Sequence, residues 1–383
     1  MKAAPSAAPH PLRPLAGLAV LAASVLLLGL LALQQLPLAP PCLAELSRFL
    51  PYYWLLPPLL AACGASLWLG WRWRLLALAN VLLLGLVVMD FHWQLQAPDS
   101  VAGVHVRVLS YNIKALQARQ REGGIEAIER EVALYAPDIV ALQDAQHWLA
   151  EHDARSPQPA RPVFGLPHVV AYRQFVLASR YPLQDCQGGN ASPADPDADA
   201  DADADSEATA VAAPFLRCAM HLGGQEVQLI TLHFASPRGA LLATRRDWRS
   251  GLQAWQNNLG LRLHQAHSLA RSLARSPAES GQMPALVVMG DFNAAAGSPV
   301  LEPFWSLGLQ DSFALGGRGW GYSHGHALNR KIDLYRIDHI LVGPHWLVQQ
   351  AQTGSSDASE HNPVLADLLL QGASAEPAAA LKP

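Results

Sequence analysis

Apolar residues crowd the front of this chain, and that asymmetry limits what the whole can fold into. Three apolar stretches, Leu15 to Leu36, Phe49 to Leu69 and Leu75 to Val88, lie within the first 95 residues, where only Lys2, Arg13, Glu45, Arg48, Arg72, Arg74 and Asp90 carry charge. A helix needs about 20 apolar residues to cross the hydrocarbon core, with a lower limit near 17. The first two stretches meet that length, and the third does once its flanks are included. The sequence therefore predicts a membrane anchor over residues 1–95 with three transmembrane helices, at about 15–36, 49–71 and 74–93. A cleaved signal peptide followed by buried helices is the competing reading. Signal cores run to about 7 to 15 apolar residues, and the first stretch is longer.

The basic residues give an orientation. Lys2 and Arg13 precede the first span, Arg72 and Arg74 sit between the second and third, and Arg48 faces Glu45 in the first loop. Because Lys and Arg concentrate on the cytoplasmic side, the N-terminus and the second turn are expected there. Three crossings then place the remainder on the far side, the periplasmic face of a bacterial inner membrane, with the bilayer as a partner.

Beyond Val101 the pattern changes to short runs rich in Val, Ile and Leu: Val104–Leu109, Asp138–Leu142, Phe175–Ala178, Val227–Phe234, Ala285–Met289, Ile337–Val342 and Val364–Leu370. Runs of this length read as strands. Helical spacing appears in Gly124–Tyr135 and Leu241–Ala274. Strands buried on both faces and interleaved with helices indicate α/β layers. The tract from Pro193 to Ala208 alternates Asp with Ala and has no apolar residues large enough to offset the entropy of ordering. It is expected to be a disordered acidic insertion, at about 190–212, and residues 371–383 a disordered tail. Cys186 and Cys218 flank that insertion. In an oxidising compartment they form either a disulfide or two buried thiols.

Charge narrows the partners. Removing the five basic and three acidic residues of the first hundred positions from totals of 27 and 31 leaves 22 and 28, a net of −6. The seven acids from Asp195 to Glu207 account for more than all of it. Such a domain lacks the broad basic footprint of a nonspecific duplex-DNA binder. One local patch remains, Arg238, Arg245, Arg246 and Arg249 interleaved with Trp248 and Trp255; it reads equally as a solvated helix face.

Six strings, each at the end of a predicted strand, carry the chemistry. They are V-L-S-Y-N at 108–112, D-I-V-A-L-Q-D at 138–144, L-A-S-R-Y-P at 177–182, T-L-H at 231–233, M-G-D-F-N at 289–293, and R-I-D-H at 336–339 followed by S-E-H-N-P-V at 359–364. In this order the strings resemble the endonuclease/exonuclease/phosphatase superfamily, which includes pancreatic-type deoxyribonucleases, abasic-site endonucleases, neutral sphingomyelinases and inositol polyphosphate phosphatases. The resemblance implies a catalytic domain over residues 101–370, built as a four-layer α/β sandwich of two packed mixed β-sheets with outer helices. It also implies hydrolysis of a phosphate ester, in a lipid or a nucleic acid, with Mg2+ or Mn2+.

Water attacking phosphorus builds negative charge on the phosphoryl and leaving oxygens, so the site needs a hard cation, hydrogen-bond donors and a proton acceptor. Asn112 and Asp144 offer oxygen donors at strand ends, which suit Mg2+ or Mn2+ better than zinc. Asp291 and Asn293 project to one side of their strand while Phe292 points to the other. By resemblance Asp291 orients or deprotonates water, Asn293 donates to phosphate, His233 contacts phosphate and Asp338 pairs with His361. His339 is a ring-sized filler. Two positions depart from the family: Asp144 stands where glutamate is usual, and Glu360 where aspartate is usual. If both reach one metal, a short arm and a long arm compensate; otherwise the chain is a noncatalytic binding or scaffold protein.

Overall fold

The structure is a computed structural model describing residues 13–36, 40–94, 102–153, 155–191, 213–275, 284–325, 332–355 and 357–372. The acidic tract at 192–212 and the tail from 373 therefore lie outside the described residues. The chain divides into two compact units, Met1–Phe91 and His92–Pro383.

In the first unit, two helices are long and apolar enough to cross a membrane by length and composition: Arg13–Gln35, with mean hydropathy 2.6, and Trp71–Val88, with 1.6. The middle crossing expected at 49–71 does not form as one long α-helix. A ten-residue helix, Leu56–Ala65, is flanked by 3-10 turns at Tyr52–Leu55 and Ser66–Trp68. Pro57 and Pro58 open it, and proline supplies no N–H to the turn before it. Ten residues rise about 15 Å, half the depth of a bilayer core of about 30 Å.

The second unit holds fifteen strands among its described residues: β1 (His92–Trp93), β2 (Gly103–Asn112), β3 (Ile139–Gln143), β4 (Gln158–Pro159), β5 (His168–Tyr172), β6 (Phe175–Ser179), β7 (Gln184–Ala191), β8 (Ala213–Leu222), β9 (Gln225–His233), β10 (Ala285–Asp291), β11 (Gln310–Asp311), β12 (Arg318–Gly319), β13 (Asp338–Val342), β14 (Trp346–Thr353) and β15 (Val364–Gln371). One mixed sheet runs β14-β15-β2-β3-β6-β5-β4 and the other β11-β13-β10-β9-β8-β7. Only β2 with β3 and β9 with β10 pair in parallel; the remaining neighbours within these two sheets are antiparallel.

The sheets pack face to face. Val106, Val108, Ile139 and Leu177 from one meet Leu216, Leu229, Val287, Met289 and Ile340 from the other in one buried cluster. Behind the first sheet, the helix Gly124–Tyr135 buries Ile128 and Val132 against Leu109, Val140 and Leu142. Behind the second, the helix Trp248–Ala274 buries Trp255, Leu259, Leu269 and Leu273 and contacts β7 and β8. The long helix expected from Leu241 is two helices, Arg238–Arg246 and Trp248–Ala274. Asp247 separates them because its carboxylate accepts the N–H groups of Arg249 and Ser250 as an N-cap. Cys186 and Cys218 are joined as a disulfide across the β7–β8 hairpin.

Candidate active site

Register brings the motif residues to one edge. In β9, β10 and β13, His233, Asp291 and Asp338 lie side by side: Asp291 pairs with His233 on one flank and with Asp338 on the other. In the facing sheet Asn112 ends β2 beside Gln143, and Asp144 follows at once. The sheets are tied close to this edge by Gln143 Nε2, which donates to Thr231 Oγ1 at 2.9 Å. Gly290 sets the approach of β10 to β9. Its φ is 148°, and a Cβ there would stand 2.1 Å from the Leu232 carbonyl oxygen, so only glycine fits before Asp291.

Asp291 is the hub. Its Oδ1 accepts the Asn293 backbone N–H at 2.9 Å, and its Oδ2 accepts Asn112 Nδ2 at 3.0 Å. The same Oδ2 lies 3.4 Å from His233 Nε2 and 3.8 Å from His361 Nε2. His233 Nδ1 donates to Gln174 Oε1 at 2.6 Å. His361 donates from Nδ1 to Asp338 Oδ2 at 2.8 Å, since an ionised carboxylate can only accept. Ser323 Oγ donates to the same oxygen at 2.6 Å. Asp338 Oδ1 is buried without a hydrogen-bond partner among the described residues.

Burial dominates this inner group. It pushes the Asp338 carboxyl up to about 6 and, by disfavouring the imidazolium, brings His361 down to about 4. His361 is therefore neutral at pH 7, with its Nε2 lone pair turned toward Asp291. The ring of His324 stacks on it at a centroid distance of 4.1 Å.

Asp144 lies further out and has its own cation. Lys114 Nζ stands 2.9 Å from its Oδ2, and His233 Nδ1 stands 3.5 Å from its Oδ1. Burial raises the Asp144 carboxyl, but His233, Lys114 and a hydrogen bond from Asn112 outweigh it and hold it at about 2. Lys114 is raised in turn: burial opposes its charge, while Asp144, Asp291 and Glu360 favour it.

The edge thus gathers Asn112, Asp144, His233, Asp291, Asp338 and His361. Asn293 is adjacent in a left-handed conformation (φ 48°), with Nδ2 donating to the Phe234 carbonyl at 2.8 Å. The Glu360 carboxylate lies between two arginines, its oxygens 3.7 Å from Arg121 and 3.8 Å from Arg238. His339 is buried between Asp311 and the Ala294 carbonyl with its ring edge-on to Phe292. Lys114, Gln174, Ser323 and His324 do not appear in the six strings. Lys114 alone carries a sequence signal, two residues past Asn112. Ser323 and His324 belong to a Gly- and His-rich stretch, 316–329, of which 326–331 lie outside the described residues.

The donors fit a hard divalent ion. Asp144 is charged at neutral pH, and Asn112 and Glu360 are the other oxygen donors expected with it. Asn112 presents its amide nitrogen to Asp291 while its Oδ1 accepts the Lys114 N–H at 3.2 Å, so ligation would require the amide to turn. A second donor set, Asp291, Asp338 and His361, has its ligand atoms within 4.8 Å of one another, all buried.

Two packed mixed sheets with buried carboxylates and histidines gathered at one edge define a phosphoesterase-like domain. The model of the Endonuclease/Exonuclease/phosphatase family matches residues 109–361, and the chain belongs to that family. Similar solved structures include an endonuclease/exonuclease/phosphatase from Bacteroides vulgatus, at 19% identity and TM-score 0.48, covering 70% of this chain and 100% of that one. A second family protein, from Bacteroides thetaiotaomicron, has 15% identity, TM-score 0.48 and coverage of 70% and 99%. The mannosyl-6-phosphatase of Bacteroides thetaiotaomicron has 15% identity, TM-score 0.47 and coverage of 69% and 99%. Comparison with curated proteins gives no match. Likenesses this distant carry no information on substrate.

Proposed function

We propose that this chain is a membrane-anchored, divalent-metal-dependent hydrolase of phosphate esters, acting by attack of water on phosphorus. The observation that carries it is the meeting of Asn112, Asp144, His233, Asp291, Asp338 and His361, drawn from both sheets, within hydrogen-bond or ion-pair reach of one another. In this reading Asp144, with Asn112 and Glu360, holds Mg2+ or Mn2+. The ion, when bound, neutralises charge developing on the phosphoryl oxygens. Asp291 orients the water. His361, neutral and fixed in its Nδ1–H tautomer by Asp338, offers Nε2 as proton acceptor. His233, Asn293 and the Lys114 ammonium face the phosphate.

The anchor is the pair of membrane-length helices Arg13–Gln35 and Trp71–Val88. An extracytoplasmic catalytic domain is supported by the Cys186–Cys218 disulfide, a bond that persists in oxidising compartments. Purified full-length protein should release p-nitrophenol from bis-(p-nitrophenyl) phosphate in Mg2+ or Mn2+, and Asp291→Ala should not. No turnover of mono- or diesters with either metal would favour the noncatalytic alternative.

A further inference from the structure

We propose that the exposed face formed by Leu242, Arg245, Arg246, Trp248 and Arg249 docks this protein on an anionic phospholipid surface. The helix Arg238–Arg246 buries Ala240 and exposes Arg238, Leu242, Arg245 and Arg246. Those positions recur at helical spacing, so they share one face. Past the Asp247 cap the next helix begins with Trp248 and Arg249, both exposed. Four arginines against one aspartate make this strip basic in a domain whose overall charge is negative.

The strip starts at the site. Arg238 lies 3.8 Å from Glu360, and the charge of Arg245 reaches Tyr335, whose backbone pairs with that of His324. Arginines alone would suit any polyanion; the apolar side chains among them decide. Leu242 is 43% and Trp248 56% exposed, and tryptophan with arginine is the composition of a membrane–water interface. A single-strand nucleic-acid groove would instead present several stacking rings. The other tryptophan here, Trp255, is fully buried under the Arg262 guanidinium. This inference rests on the proposed phosphoesterase reading for its substrate class: the ester would be borne by a membrane and reached by the docked protein.

The test uses the full chain in neutral phosphatidylcholine nanodiscs, mixed with vesicles of phosphatidylcholine alone or with phosphatidylglycerol. Flotation with the anionic vesicles alone is expected. Each arginine near such a surface is worth about fivefold in binding, so Arg245→Gln, Arg246→Gln and Arg249→Gln together should weaken it about a hundredfold. Trp248→Ala, which keeps every charge, should weaken it severalfold. Turnover of the soluble bis-ester should be unchanged in all of them. Equal flotation of wild type and the triple variant would overturn the proposal, as would capture of a single-stranded oligonucleotide in preference to vesicles. Vesicle binding without bis-ester turnover would uphold the docking surface and sink the hydrolase reading instead.

Discussion

Replacing Lys114 with methionine removes the ammonium 2.9 Å from Asp144 Oδ2 and keeps a stem of similar length. Asp144 is held at about 2 against an ordinary 3.8. At about 1.4 kcal/mol per tenfold, that difference favours the carboxylate by about 2.4 kcal/mol after burial has opposed it. His233 and Asn112 share this effect, so the part due to Lys114 is on the order of 1 kcal/mol. A metal ion on Asp144 must displace or tolerate that ammonium, so Lys114→Met should bind Mn2+ about five- to tenfold more tightly. Turnover should fall at the same time, because the charge facing the phosphate is gone. Calorimetric titration with Mn2+ in low salt, beside bis-ester kinetics, measures both. The sign with pH follows from a depressed carboxylate. The Asp144 contribution to stability is present above its ordinary value and fades as pH falls toward 2, so the variant should lose up to about 1 kcal/mol at pH 7 and nothing at pH 2. Mn2+ binding no tighter in the variant would refute the rivalry and point to Asp291, Asp338 and His361 as the ligands.

Asp291→Asn should lower turnover by roughly a thousandfold or more with little change in melting temperature. A mutant that melted far lower would mark Asp291 as structural. Asp338, raised to about 6 by burial, makes its charged form costly above that pH; the cost fades as pH falls toward the ordinary carboxylate value. Asp338→Asn should therefore melt higher than wild type at pH 8, by up to about 3 kcal/mol in stability, and nearly equally at pH 4, while losing turnover. Wild-type turnover should decline as pH drops through about 6, seen in a pH–rate profile. Gly290→Ala should cost on the order of 3 kcal/mol or more, since the added methyl meets the Leu232 carbonyl at 2.1 Å; thermal melting checks it.

The strands that position the motifs were legible because they are buried on both faces: β3, β6 and β10 are continuous apolar runs. The half-exposed strands were not. In β14, Trp-Leu-Val-Gln-Gln-Ala-Gln-Thr offers a weak apolar pattern, and β8 opens directly beyond the acidic tract. The middle anchor segment was overread because hydropathy counts its prolines as spacers, whereas the backbone registers them as missing donors. Within the site, the sequence order marks the strand-end residues but not Gln174, Ser323 and His324. They reach the same edge from loops, so only the tertiary path brings them to His233, Asp338 and His361.

The link between Cys186 and Cys218 closes residues 187–217 into a ring whatever sequence fills it. Both roots of the acidic tract are held in adjoining strands, the edge strand β7 and its neighbour β8, where Cys218 is fully buried. The tract can thus be shortened, lengthened or exchanged without asking the sheet to find its register again, because loop-closure cost grows only slowly with length. Evolution has in this hairpin a place to try new surface chemistry, and its roots lie at the same end of the sheet as the catalytic edge, since Phe215 of β8 pairs with Leu232 beside His233.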